Sequence, residues 1–363
     1  MGPRMRSAII HKPALRPLFG GPESLGQGSS NPVRLGRAVI SGYGRGNGQA
    51  SVTRPLLIHD WHDVPDCARA ASIALGNFDG VHLGHLDVLR AAHTARPDRP
   101  RAVLSFSRHP REFFRPDDPP FRLTVDSERA AQLAVNGVEI LFELTFDRAF
   151  SELSATDFIN EVLHKGVGAT HLACGADFAF GHRRGGDVSL LAACTVPLGI
   201  GLTVVPHRAD SEGPISSTRI RRLLQDGYLE RAALLLGRAP AIRGTVIHGD
   251  ARGRAIGYPT ANITLGRHLE PARGVYVVTA ELRDGVRIPG VANIGRRPTV
   301  TAGTESCLEV HLLDYAGDLY DLELTVELHH FLREERRFGN ILALREQIGK
   351  DTATAREWFA ARM

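Results

Sequence analysis

Ser72-Ile73-Ala74-Leu75-Gly76-Asn77-Phe78-Asp79-Gly80-Val81-His82-Leu83-Gly84-His85 is the stretch that decides the fold. Its first four residues form a short strand-like run. Leu86–His93 behind it carry helical spacing, so the whole reads as strand, tight turn and helix. The same alternation continues on the C-terminal side. Ala102–Phe106, Ile140–Leu144, Thr170–Ala173 and Leu202–Val205 read as strands, while Ser127–Val135 and Ala155–Leu163 read as helices. Ser154-Ala155-Thr156-Asp157 has capping-box form before Phe158, Ile159, Val162 and Leu163. Strands separated by helices predict βαβ units on a parallel sheet.

The turn itself suggests anion chemistry. Gly76 and Gly80 let the backbone approach a ligand closely. The helix that follows offers free N–H groups and the positive end of its dipole. His82 and His85 are three apart and share one helix face, where they can donate hydrogen bonds to phosphate oxygens. The bland alternative is two surface histidines on a tight turn. Zinc is another, but no third ligand stands close in sequence. Further on, Ile215-Ser216-Ser217-Thr218-Arg219-Ile220-Arg221 could bind phosphate or simply cap a helix. There is no Walker A sequence and no G-x-G-x-x-G after a strand, which argues against P-loop phosphotransferases and dinucleotide dehydrogenases.

Residues 216–237 read as one or two helices stopped by Gly237. Beyond them the pattern changes. Val275–Leu282, Ile288–Asn293, Leu308–Leu313 and Leu322–Phe331 are strand-like with no helices between, which predicts a small antiparallel barrel. Asn340–Met363 reads as a closing helix, with Ile341, Leu342, Leu344, Ile348, Trp358 and Phe359 as packing candidates. Glycines from Gly244 through Gly249 and Gly253-Arg254 could form a flap over phosphates. Thr260 and Asn262 present oxygens suited to a hard cation such as Mg²⁺. Glu309, on a predicted strand, could point inward as a general base; taken alone it would be a solvated carboxylate.

The chain has 363 residues, enough for two domains. No apolar run reaches the roughly 18 residues of a membrane span, which excludes a helical membrane protein. The net charge of +4 is uneven: residues 1–50 carry +6 and the remainder −2, so the folded part is not a basic nucleic-acid binder. Residues 1–53 are rich in Gly, Ser, Pro and Arg without periodicity, and read as a disordered basic extension, residues upstream of the true start, or a transit segment. Cys67, Cys174, Cys194 and Cys307 form no C-x-x-C pair, which suits free thiols in the cytoplasm.

The H-x-G-H turn together with the I-S-S-T-x-x-R segment resembles the nucleotidylyltransferase superfamily. Phe106-Ser107-Arg108-His109-Pro110-Arg111-Glu112, Gly175–Gly181 and Arg184–Asp187 resemble its flavin-specific branch. Pro259-Thr260-Ala261-Asn262, Gly290–Gly295, Glu309–Asp314 and Phe331–Phe338 are similar to the riboflavin kinase module. Residues 54–360 thus resemble the prokaryotic bifunctional FAD synthetase family. The resemblance implies a Rossmann-like α/β nucleotidylyltransferase domain over 54–238, then an antiparallel β-barrel riboflavin kinase domain with a C-terminal helix over 239–363. Riboflavin, FMN, FAD, ATP and pyrophosphate are the implied ligands. Mg²⁺ with ATP is implied, but no permanently bound organic cofactor, nucleic acid or membrane partner. The oligomeric state stays open.

The resemblance also distributes roles. His82 and His85 match the phosphate-stabilising pair, and Gly76, Asn77, Phe78, Asp79, Gly80, Ser216, Ser217, Thr218 and Arg221 match ATP-phosphate positions. Asp177, Phe178, Arg184 and His109 match the flavin and nucleotide pocket. In the kinase module Glu309 matches the catalytic base; Gly249, Gly253, Arg254, Thr260 and Asn262 match ATP and metal positions; Arg333 and Glu334 match positions near the flavin. Arg108 stands where relatives usually carry Pro, Tyr258 where they carry Phe, and the 53-residue extension lies outside the pattern. Two rival readings follow: a kinase with a weakened adenylyltransferase, from Arg108, and a flavin-binding regulatory or RNA-binding protein, from the basic extension.

Overall fold

The computed structural model describes residues 54–249, 253, 256–298 and 304–362. The basic extension and Arg254 lie outside the described residues. The chain begins with β1 (Leu56–Ile58), β2 (Ser72–Leu75), α1 (Leu83–Ala95), β3 (Arg101–Phe106), α2 (Pro110–Phe114), α3 (Asp126–Val135) and β4 (Ile140–Leu144). Then come α4 (Arg148–Ser151), α5 (Ala155–Asp157), a π-helix over Phe158–Gly166, β5 (His171–Gly175), α6 (Val188–Thr195) and β6 (Gly201–Val205). β1 to β6 form one parallel sheet in the order β1-β4-β3-β2-β5-β6. All five residues of β4 are buried, as befits an interior strand covered on both faces. The crossover from β2 to β3 runs one way along the sheet and the strands β5 and β6 add on the other side. The carboxyl end of β2 is therefore the topological switch point, where open α/β sheets bind ligands.

The expected helix over Ala155–Leu163 is one α-turn that widens into the π-helix. Val167 N bonds to Val162 O, five residues back, while Phe158, Ile159, Val162 and Leu163 remain buried. The short strands β7 (Ala209–Asp210) and β8 (Gly213–Pro214) precede α7 (Ser217–Gln225) and α8 (Leu229–Leu236), and Gly237 ends α8 in the left-handed region.

The rest is a closed antiparallel barrel: β9 (Ala241–Ile247), β10 (Ala261–Thr264), β11 (Gly274–Glu281), β12 (Arg287–Pro298), β13 (Thr304–Leu312) and β14 (Glu323–Glu334). Closure leaves no strand edge unpaired. Val278, Ile294, Leu308, Val310 and Val326 fill the interior, and their cluster continues into Leu223, Leu224, Leu235 and Leu236 of α7 and α8. On the outer face Val275, Val277, Val291 and Leu313 pack against Ala355 of α9 (Ile341–Ala360), with Trp358 and Phe359 alongside. The first turn of α9 departs from expectation. Ile341 and Leu342 are exposed, and Leu344 and Ile348 are only half-buried. The helix docks instead through Asp351, Thr352 and Ala355, because Asp351 is drawn to Arg333 of β14. No helix among the described residues is long and apolar enough to cross a membrane.

Candidate active sites

Phe78, Gly80 and Val81 hold φ values of 51°, 85° and 40° in the turn after β2. Such backbone is kept only when neighbours over-determine it, and here they do. The Asp79 carboxylate, 2% exposed, accepts hydrogen bonds from Leu123 N at 2.9 Å, Thr124 N at 3.0 Å and Arg221 Nη2 at 2.5 Å. Arg238 donates to Gly80 O at 2.7 Å and Val81 O at 3.1 Å. A Cβ on Gly80 would lie 2.8 Å from Leu123 Cδ1.

His82 caps α1. Its Nδ1 accepts from His85 N at 3.3 Å, and His85 Nδ1 accepts from His82 N at 3.3 Å. The rings stack with centroids 3.6 Å apart. Burial lowers His82 to about 4 against the pull of Asp79, and burial first, then the close His82 ring and the charges of Arg221 and Arg238, takes His85 well below the ordinary histidine range, since protonating both rings would set two cations together. Both rings are neutral at pH 7. Since Nδ1 accepts in each, the ring proton sits on Nε2.

The second predicted segment arrives at the same place. Ser216 caps α7 by accepting from Arg219 N at 3.3 Å, and Ser217 Oγ donates to Asp79 O at 2.9 Å. A Cβ on Gly84 would sit 3.4 Å from Ile215 O. The N-terminal ends of α1 and α7 thus lie side by side. Arg221 stands one turn into α7, with Nε on Phe121 O at 2.8 Å and Nη2 on Asp79. Thr218 is exposed, and Asn77 offers its carbonyl to Ser105 Oγ at 3.1 Å.

Asp177, Phe178 and Arg184 occupy a separate loop after β5. Asp177 is exposed, 3.6 Å from His207 Nε2; Phe178 stacks on Phe180; Arg184 is exposed with φ 58°. His109 caps α2, accepting from Arg111 N at 3.0 Å, and its ring meets the Phe121 face edge-on. Burial and the Arg122 charge lower it to about 4. Arg108, in the position where Pro is usual, donates to Glu112 O at 2.9 Å and lies 5.4 Å from the Phe113 ring centroid. Both contacts stay within its own loop.

The barrel brings the other set together on its outer face. Glu309 of β13 is in register with Asn262 of β10 on one side and Asn293 of β12 on the other. This corrects the expectation that Glu309 points inward. Leu308, Val310 and Leu312 fill the interior, and strict alternation turns Glu309 out of it. Asn262 is 4% exposed, and its Nδ2 lies 3.5 Å from Thr260 O. Gly253 O accepts from Tyr258 N at 2.8 Å, which closes the loop before Thr260; Gly249 is half-buried. Arg333 pairs with Asp351 of α9 at 3.0 and 2.7 Å, and Glu334 beside it is exposed.

Family comparison agrees with two activities. The FAD synthetase model matches residues 64–219 and the riboflavin kinase model residues 236–359. The bifunctional riboflavin kinase/FMN adenylyltransferase of Escherichia coli is 42% identical over 304 residues, covering 83% of this chain and 96% of that one. The chain belongs to the bifunctional riboflavin kinase/FMN adenylyltransferase family. The Bacillus subtilis member is 35% identical over 314 residues, covering 84% of this chain and 97% of its own. A crystal structure from Streptococcus pneumoniae, described as a macrolide-efflux protein, has a TM-score of 0.75 and 32% identity, covering 84% of this chain and all of that one.

Sequence reasoning missed several residues that shape these sites. Arg129, 1% exposed, reaches Asn77 O, Phe106 O and Glu143 Oε1, and so ties the Gly76 turn to β4. Glu143 carried a signal, because a carboxylate inside a wholly buried strand needs a buried cation. Asn293 lay inside a quoted motif, and only strand register reveals it beside Glu309. Arg238 gave no signal: it follows a helix stop like any linker residue.

Proposed function

We propose that the two reactions divide between two sites, with residues 54–238 adenylylating FMN and residues 239–363 phosphorylating riboflavin. The protein is an ATP-using transferase: it phosphorylates riboflavin to FMN and adenylylates FMN to FAD, releasing pyrophosphate. The convergence of two helix N-termini over the buried Asp79–Arg221 pair supports the first assignment most strongly. An FMN phosphate oxygen attacks the α-phosphorus of ATP there, and the bond to the leaving pyrophosphate oxygen breaks. The Nε2–H groups of His82 and His85 donate to the α-phosphate as charge builds. Gly76, Asn77, Phe78, Asp79 and Gly80 shape the close backbone approach. Ser216, Ser217 and Thr218 grip the departing phosphates, with Arg221 holding the turn and lending charge. Asp177, Phe178, Arg184 and His109 border the flavin and nucleotide.

In the barrel, Glu309 takes the proton from the ribityl 5′-hydroxyl while the 5′-oxygen attacks the γ-phosphorus of a second ATP, the bond from that phosphorus to the β,γ-bridging oxygen breaks, and ADP leaves. Gly249 and Gly253 belong to the phosphate flap, and Arg254 supplies a positive charge for ATP. Thr260 and Asn262 would hold Mg²⁺. Their neutral oxygens fit a cation bound by one or two protein donors and substrate phosphates, and no cluster of three His, Cys, Asp or Glu competes for it among the described residues. Mg²⁺ would neutralise phosphate charge. Arg333 keeps α9 against the barrel beside the flavin, with Glu334 at the open side. The cytoplasm is the proposed compartment, since all four cysteines are free thiols. A time course with riboflavin, ATP and Mg²⁺, followed by chromatography, should yield FMN first and FAD after it. A chain that makes neither would sink the reading.

A further inference from the structure

A cavity of about 580 Å³ opens where β3 ends. Ser107, Arg108, Arg115, Phe121 and Asp126 line it from the α/β half, and one lining residue, Arg267, comes from the barrel. Arg267 lies in the connection between β10 and β11. It donates to Glu112 Oε2 at 2.8 Å and to Asp126 Oδ2 at 2.9 Å. The backbone beneath it is fixed to the other half: Arg122 N donates to Arg267 O at 3.3 Å, and Leu269 N to Arg122 O at 2.8 Å. Buried His268 next to it bonds Glu128 at 2.9 Å.

We propose that Arg267 is a positioning residue for FMN adenylylation, carried by the kinase barrel into the wall of a cavity that reaches the proposed flavin residue His109 through Phe121, whose ring it meets. This rests on the assignment of the adenylyltransferase site above. Glu112 is the pivot. Arg122, 1% exposed, and Arg267 clamp it from the two halves, and burial, which would raise it, is outweighed so that it stays at about 2. The same Glu112 Oε2 accepts from His109 N at 3.0 Å and so sets the cap of α2. The wall also carries Asp118 and Asp126. Without Arg267 these carboxylates face one another and an anionic FMN with one guanidinium fewer. The segment beyond, Phe121 to Thr124, holds Asp79 through Leu123 N and Thr124 N, so the barrel connection also steadies the turn that bears His82.

The test is the full chain carrying Arg267→Ala. The KM for FMN in FAD formation should rise about tenfold while kcat changes about threefold or less, as expected for losing one charge-assisted contact at a binding wall. Riboflavin phosphorylation should be unchanged. Arg267→Lys, which keeps the charge but reaches one carboxylate, should recover most of the KM. An unchanged FMN KM overturns the proposal, and so does a parallel fall in both activities, which would mark a barrel fault. A chain with both His82→Ala and His85→Ala, run alongside, separates the two claims. If it still makes FAD, the site assignment has failed. If it is inactive while Arg267→Ala binds FMN normally, only this inference has.

Discussion

His82 and His85 each give one ring nitrogen to the other's backbone amide, which locks both rings as neutral Nε2–H donors. A neutral donor can strengthen a hydrogen bond to a developing phosphate charge without binding the ground state as tightly as a cation would. Changing both to Ala should therefore cut FAD formation at least a hundredfold and leave FMN formation from riboflavin intact, read by chromatography of both products. Equal loss of both would refute the separation of sites. Glu309 makes the converse case. Glu309→Gln keeps the size and removes the base, so FMN formation should fall by about a hundred- to ten-thousandfold, while FMN supplied directly is still adenylylated. A Gln variant that phosphorylates riboflavin normally would remove Glu309 from the mechanism.

The decisive element is the turn from β2 into α1. Gly80→Ala would place a methyl at 2.8 Å from Leu123 and force Ala to φ 85°. About 1–3 kcal/mol of strain is expected, with loss of FAD formation and retention of FMN formation; an unaffected FAD rate would show that the turn is not needed for adenylylation. This element was legible because an apolar strand, two glycines and a helical pattern follow one another without ambiguity. β9 was not legible. Its inward residues are Ile242, Gly244 and Val246, and the glycine blanks the middle of the period-2 signal because Ile263 fills the space where its Cβ would go. β10 is four residues long after Pro259, too short for a pattern. The facing of Glu309 was written in the sequence, since Leu308, Val310 and Leu312 flank it at alternate positions. What no sequence pattern carries is register, which sets Asn262, Glu309 and Asn293 side by side.

Across the whole molecule, the buried histidines pull stability in opposite directions with pH. His82 and His109 are held near 4 by burial, so the unfolded chain takes up their protons first, and their contribution is lost as pH falls from about 6.5 toward 4. His268 behaves in the reverse sense. Burial lowers its affinity for a proton, but the hydrogen bond and charge of Glu128 outweigh burial and raise it. The pair that joins the barrel's β10–β11 connection to α3 is therefore at full strength below the ordinary histidine value and is lost as pH rises through the raised one. His268→Gln, which can still bond Glu128 but carries no charge, should destabilise the chain more at pH 6 than at pH 8. The sign of the difference is fixed by the raised histidine: the larger loss of Tm falls at the lower pH. Thermal melts of both proteins at the two pH values measure it. Equal losses at both would mean that His268 acts at the junction as a neutral hydrogen-bond donor, without a charge-dependent share.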